Sequence, residues 1–100
     1  MNIDEECTIS LRVVVERLFN MRKIGGSHTE IKNVQKRYKH ASSNTKKFMD
    51  RFIKKSGWFL TKKSTGELHI SLNPEKIGQI KEFLDASFTE DRINVIKKLF

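Results

Sequence analysis

The chain has 100 residues, about the size of one small domain, so a two-domain enzyme with a cleft between lobes is not expected. Hydrophobic residues make up 37% of it and there is only one proline, which argues against a disordered or low-complexity chain. No apolar run approaches the ~20 residues of a membrane span, and the amino terminus is acidic where a signal peptide is basic and then apolar. We therefore expect neither a membrane association nor secretion.

Motifs for catalysis or for a bound cofactor are missing from the sequence. The single cysteine, Cys7, cannot form an internal disulfide, and the three histidines His28, His40 and His69 form no HxxxH pair. No glycine-rich phosphate loop or recognisable Ser-His-Asp spacing is present. We expect a cytoplasmic protein that is not an enzyme and needs no metal or other cofactor.

The net charge of +8 is concentrated in the middle of the chain. Residues 1–8 contain three acidic and no basic side chains, residues 9–72 contain fifteen basic and four acidic ones, and residues 73–100 contain five of each. This division predicts a flexible acidic amino terminus (1–8), a basic core domain (9–72) and a helical carboxy-terminal extension (73–100). A basic middle segment indicates a surface that meets phosphates, although lysines also occur on solvated faces.

Two helices are predicted in the first third of the chain. The first begins after Thr8 as N-cap and ends at the Gly25-Gly26 pair, because glycine accepts the left-handed conformation. Ser27 and Glu30 match the S-x-x-E capping box and predict the start of a short second helix. The apolar side chains of the first helix recur at helical spacing: Leu11, Val14, Val15 and Leu18.

A third helix is predicted from Thr45 to Lys55, with Ser43 or Asn44 as its cap. Its apolar face consists of Phe48, Met49, Phe52 and Ile53. Helical geometry then turns the polar residues outward. These are Lys46, Lys47, Asp50, Arg51, Lys54 and Lys55.

A β-hairpin follows, because the apolar period changes from 3.6 to 2 after Gly57. The polar segment around Gly66 predicts an exposed tip that carries Lys62 and Lys63, while His69 is expected to face solvent. We expect the buried face of this sheet to contain Trp58, Leu60, Leu68, Ile70 and Leu72.

Two more helices are predicted at the carboxy terminus. Asn73-Pro74-Glu75 starts one of them and Thr89-Glu90-Asp91 starts the other. The apolar residues of the last helix cover more than half of its circumference. This surface predicts either a homodimer or packing against the first helix. The residues expected to form the dimer contact are Ile93, Ile96, Leu99 and Phe100.

Three helices followed by a hairpin make the chain resemble winged helix-turn-helix proteins, over residues 9 to about 84. It looks like the small stand-alone members common in archaea, in which a junction such as Leu72-Asn73-Pro74-Glu75 leads from the wing into a helix. The expected fold class is α+β and mostly helical, with three helices, a two-stranded wing and one or two extra carboxy-terminal helices. The resemblance implies that the third helix lies in the DNA major groove and that the wing touches the backbone or minor groove.

The residues themselves also favour a nucleic-acid contact on the third helix. Lys47, Arg51 and Lys54 are spaced i, i+4, i+7 and form one basic stripe, in which Arg51 is the candidate for reading a guanine. The predicted contact residues are Ser43, Asn44, Thr45, Lys46, Lys47, Arg51, Lys54, Lys55, Lys62, Lys63, Lys36 and Lys39.

The expected function is that of a small transcriptional regulator that binds double-stranded DNA. Two alternatives stay open at this point. One is an RNA-binding winged helix, because the fold also serves RNA, and the other is a protein-interaction module within a larger assembly.

Overall fold

The computed structural model describes residues 3–86 and 89–99, and this part of the chain is α+β and mostly helical, as expected. No helix described there combines the length and the apolar character that crossing a membrane requires. The elements in chain order are α1 (Glu5–Asn20), β1 (Thr29–Glu30), α2 (Lys32–Gln35), α3 (Ser43–Lys55), β2 (Phe59–Ser64), β3 (Glu67–Leu72), a 3-10 turn (Pro74–Lys76), α4 (Ile77–Asp85) and α5 (Thr89–Lys97).

The three strands form one antiparallel sheet in the order β1-β3-β2, where two strands were expected. Strands β2 and β3 make the predicted hairpin, and its turn consists of Thr65 and Gly66 with φ angles of 51° and 80°. Two positive φ angles are typical of the type I′ turn, whose twist matches that of the flanking strands.

Helix α1 begins four residues earlier than predicted, and the assignment of residues 1–8 to a flexible terminus is wrong for residues 5–8. The N-cap is Asp4, whose Oδ1 accepts a hydrogen bond of 3.0 Å from the amide of Cys7. Cys7 and Thr8 are buried. Both side chains therefore belong to the apolar face of the helix, which extends the stripe seen further along the sequence.

The end of α1 also differs from the prediction, because the helix stops at Asn20 and not at the glycine pair. The amide of Lys23 donates to the carbonyl of Leu18 and that of Arg22 to the carbonyl of Phe19, which is the bonding pattern of a Schellman motif. Arg22 takes the left-handed conformation, with φ 57°. Gly25 lies beyond the helix, where its amide donates to a carbonyl at the end of β3.

The predicted capping box at Ser27 is wrong. Thr29 and Glu30 form strand β1, which pairs with Ile70 and His69 of β3. The backbone groups of this segment pair with a strand 39 to 41 residues further along the chain and are not available for helical hydrogen bonds. Helix α2 is consequently only four residues long and has no side-chain cap.

The core is centred on Trp58, which is completely buried as predicted. Its ring meets Phe52 of α3 edge to face at a centroid distance of 5.1 Å and Phe83 of α4 at 5.5 Å. Its Nε1 donates to the Oε1 of Gln79 at 3.1 Å. Trp58 therefore joins α3, the base of the hairpin and α4.

The predicted buried face of the hairpin is only partly right. Phe59, and not Leu60, stands opposite Leu72, so Leu60 lies on the other face of the sheet. Leu60 is 42% exposed, and Leu68, near the tip, is 39% exposed. The expectation that both are buried is wrong. Alternation within β2 does not determine its alignment with β3, which turns Leu60 to the other face, whereas Leu68 lies on the predicted face but too near the tip to be covered.

Helix α5 folds back against α1 and α4. Ile96 is fully buried within this chain, so its assignment to a dimer contact is wrong for the conformation described. Ile93 and Leu99 are partly exposed, and Phe100 lies outside the described residues. The homodimer itself stays a prediction.

Candidate nucleic-acid interface

Helix α3 is strongly amphipathic, and its cap lies one residue before the predicted ones. The Oγ of Ser42 accepts a hydrogen bond from the amide of Thr45 at 3.2 Å, so neither Ser43 nor Asn44 is the N-cap. The face that packs into the core consists of Thr45, Phe48, Met49, Phe52 and Ile53.

The outward face of α3 carries the predicted basic stripe. Lys47, Arg51 and Lys54 are exposed, with Lys46 and Lys55 on either side of them. Within the described residues, no lysine of this face takes part in a salt bridge. The lysine charges of α3 are therefore not neutralised by a nearby carboxylate at salt-bridge distance.

The amino-terminal end of α3 is occupied by a carboxylate from α1. The Oε1 of Glu6 accepts hydrogen bonds from the amide of Ser42 at 3.0 Å and from the hydroxyl of Thr45 at 2.6 Å. Hydrogen bonds from Ser42 and then Thr45 hold the pKa of Glu6 below its usual range. A negative charge at this position is favourable because the helix dipole is positive there.

This arrangement corrects the prediction that the amino-terminal residues of α3 contact phosphates. Thr45 is completely buried and its hydroxyl is used by Glu6, so Thr45 is excluded from the surface. Asn44 is half-buried and donates to the Sγ of Cys7 at 3.7 Å. Ser43 is the one predicted contact among these three that is exposed.

A groove of about 430 Å³ separates α3 from the hairpin. Lys54 and Asp50 line it from α3, and Thr61 and Leu68 line it from the hairpin. Lys63 stands opposite Leu68 in the register and so lies on the face of the hairpin that borders this groove.

The two lysines of the hairpin are consequently not equivalent. Lys62 stands opposite His69, so its side chain lies on the outer face of the sheet. Both lysines are exposed, but only Lys63 shares a face with the groove. The structure thus separates two residues that were predicted to act together.

The turn between α2 and α3 brings Lys39 beside Lys46, where both line a shallow groove of about 240 Å³. Tyr38 lies in the same place, and burial together with the charge of Asp50 raises its pKa to about 12. Lys36 is the exposed C-cap residue of α2. Lys39 and Lys46 therefore extend the basic face of α3 toward α2.

Two further polar residues lie at the interface and were not among the predicted contacts. Gln35 lines both grooves beside α3, and Thr61 lines the groove next to the hairpin. The position of Thr61 follows from the alternation of β2 once its pairing with β3 is known. No local signal marks Gln35, since its place depends on how α2 packs beside α3.

Comparison of the chain with models of protein families, with curated proteins and with solved structures finds no match.

Proposed function

We propose that this protein binds double-stranded DNA through the outward face of α3 and the groove-facing side of the hairpin, as a winged helix-turn-helix protein. Its expected role is that of a small cytoplasmic transcriptional regulator. The exposed basic face of α3 is the observation that carries the proposal, because nucleic-acid affinity depends above all on cations placed against phosphates.

The order of the elements supports the proposal. Three helices precede a hairpin, and α3 lies beside that hairpin across the groove of about 430 Å³. With 13 residues, α3 is about 20 Å long, and the major groove admits a helix of ordinary diameter. In this arrangement α3 enters the major groove while the hairpin meets the backbone.

The residues of α3 then have different roles. Arg51 presents a planar guanidinium that can bond the O6 and N7 of one guanine, whereas Lys47 and Lys54 act as charges against phosphates. Because this stripe contains a single arginine, we propose that sequence-independent contacts supply most of the affinity. Asp50, on the edge of the face, adds a carboxylate that can accept from a cytosine amine.

The test is a fluorescence-anisotropy titration of duplex DNA, single-stranded DNA and duplex RNA at several salt concentrations. For duplex DNA we expect the tightest binding and a log–log salt slope of about −4 to −7, corresponding to roughly five to eight phosphate contacts. The double variant Lys47→Glu/Arg51→Glu should lose this binding. The control Lys81→Glu/Lys97→Glu makes the same charge change at exposed sites on α4 and α5 and should lose much less.

Three results would overturn the proposal. Preference for duplex RNA would replace it with an RNA-binding function. Equal losses in the two double variants would mean that net charge alone drives the interaction. Absence of binding to all three nucleic acids at low salt would leave the basic face solvated and favour a protein-interaction module.

A further inference from the structure

We propose that His28 and His69 form a binding site for a divalent first-row transition metal ion such as Zn²⁺, Ni²⁺ or Cu²⁺. The site lies on the outer face of the sheet and is independent of the proposed nucleic-acid contact on α3. Its basis is the close approach of two imidazole nitrogens from residues that are far apart in the sequence.

The pairing of β1 with β3 brings the two rings together. His69 stands opposite Glu30 in the register, and His28 precedes Glu30 by two residues. The Nδ1 atoms of the two histidines are 2.8 Å apart, the ring centroids are 4.7 Å apart, and the ring planes meet at 76°. Both side chains are half-buried, so each ring has a defined position and a path to solvent.

This separation suits two adjacent ligands of one metal ion. Imidazole nitrogens bind such ions at about 2.0–2.1 Å, so two of them lie about 2.9 Å apart at the right angle of a square-planar or octahedral Cu²⁺ or Ni²⁺ ion, and about 3.3 Å apart at the tetrahedral angle of Zn²⁺. Neutral imidazole is a preferred ligand of zinc, copper and nickel. Without a metal ion, the same 2.8 Å contact is a hydrogen bond in which the N–H of one ring donates to the nitrogen of the other. A metal ion would displace this proton after a small rotation of the rings.

The surroundings of the pair carry charges of both signs, so we expect a metal ion that exchanges readily. Glu30 stands opposite His69 in the register, and its Oε2 contacts the Nζ of Lys32 at 3.0 Å. Lys62, opposite His69 on β2, is the nearest basic group in the register. Across residues 3–86 and 89–99, no third histidine, cysteine or carboxylate completes a metal cluster, so water fills the remaining positions.

The first test uses the wild-type chain without an affinity tag. Titration with Ni²⁺ is followed by NMR of the three histidine side chains, since a paramagnetic ion broadens the signals of nearby nuclei. We expect loss of the signals of His28 and His69 together, at one ion per chain, while His40, which is exposed in the turn before α3, is retained. Simultaneous loss of all three signals, or of none, would overturn the proposal.

The second test is calorimetric titration with Zn²⁺ and Ni²⁺ of His28→Gln and His69→Gln, with His40→Gln as the matched control. Each of the first two variants should bind at least about ten-fold more weakly, since even loss of a group that only supports a metal ligand costs roughly 10–100-fold. The control should bind like the wild type. Unchanged affinity in either pair variant would show that the contact is a hydrogen bond between rings and not a chelate.

Discussion

Glu6 joins the beginning of α1 to the beginning of α3. Its carboxylate accepts from the backbone of Ser42 and from the hydroxyl of Thr45, and the latter also contacts the buried thiol of Cys7 at 3.7 Å. Desolvation by burial raises the pKa of this thiol. One acidic residue thus fills the end of α3 that sequence analysis assigned to phosphate contacts, and it does so with a group of the same charge as a phosphate.

We predict that Glu6→Gln lowers the melting temperature of the protein at neutral pH. The variant should also show a smaller decrease in melting temperature as the pH is lowered. The folded-state pKa of Glu6 is lowered from 4.5, so its contribution is present above that value and is lost as the pH falls through the lower folded-state pKa. Thermal unfolding from pH 3 to pH 7 tests this. Glu5→Gln, an exposed neighbour in the same turn, is the control; identical profiles for Glu6→Gln and the wild type would contradict the prediction.

The hairpin turn contains a strained residue. Thr65 is β-branched and has a φ of 51°, a conformation that such side chains rarely adopt. We predict that Thr65→Asn stabilises the protein by about 1 kcal/mol, because asparagine followed by glycine is the preferred pair for this turn and the left-handed conformation costs most residues roughly 1–2 kcal/mol. Urea unfolding measures the change. A lower midpoint would show that the 2.7 Å bond from the Thr65 hydroxyl to the Ser64 carbonyl outweighs the strain.

Strand β1 contains only two residues, but its pairing with β3 shapes the segments on both sides of it. Its pairing with β3 replaces the predicted start of α2, and the amide of Ile31 continues the ladder by donating to the carbonyl of Leu68 at 2.9 Å. The same pairing places His28 beside His69. A short strand therefore decides both the length of α2 and the position of the histidine pair.

At the hairpin, we predict that Lys63→Ala weakens duplex DNA binding several-fold more than Lys62→Ala. Lys63 lies on the face that borders the groove next to α3, whereas Lys62 lies on the outer face. Loss of one phosphate contact reduces the salt slope by about 1, and we expect this reduction for Lys63 alone. Anisotropy titrations of both variants make the comparison, and a larger effect of Lys62→Ala would contradict this orientation of the hairpin.

At the scale of the whole molecule, the aromatic cluster around Trp58 holds the helices to the sheet. We predict that Trp58→Ala destabilises the protein by about 3–5 kcal/mol, since the ring is completely buried and its removal leaves a cavity between α3 and α4. Equilibrium unfolding in urea measures this loss. Trp58→Phe, which keeps part of the aromatic packing, is the control; equal losses in both variants would point to the Gln79 hydrogen bond and not to packing.

The homodimer is a prediction about the whole molecule that light scattering tests. The expected mass at tens of micromolar is about twice the 11.7 kDa of one chain. Burial of Ile96 against the rest of the chain leaves Ile93 of α5, and Leu99 in the turn after it, as partly exposed apolar residues within the described range. A mass of one chain would contradict the homodimer and leave packing on α1 as the role of α5.

Elements with a local signal could be predicted from the amino-acid sequence. Apolar periodicity predicts α1, α3, α4, α5 and the hairpin, and it turns the basic side chains of α3 outward. Apolar periodicity predicts these features because it depends only on which face of its own helix or strand each residue occupies. Cap positions were less well predicted, since several neighbouring polar residues can serve as the cap.

Contacts between distant segments could not be predicted from the sequence and are seen only in the folded chain. Strand β1, the Glu6 carboxylate at α3 and the His28–His69 pair each join residues 36 to 41 positions apart. No local pattern marks them, because each partner looks like an ordinary surface residue within its own segment. Packing of the helices and the sheet brings these groups together, and their polar atoms then form hydrogen bonds with the neighbours that the fold places within reach.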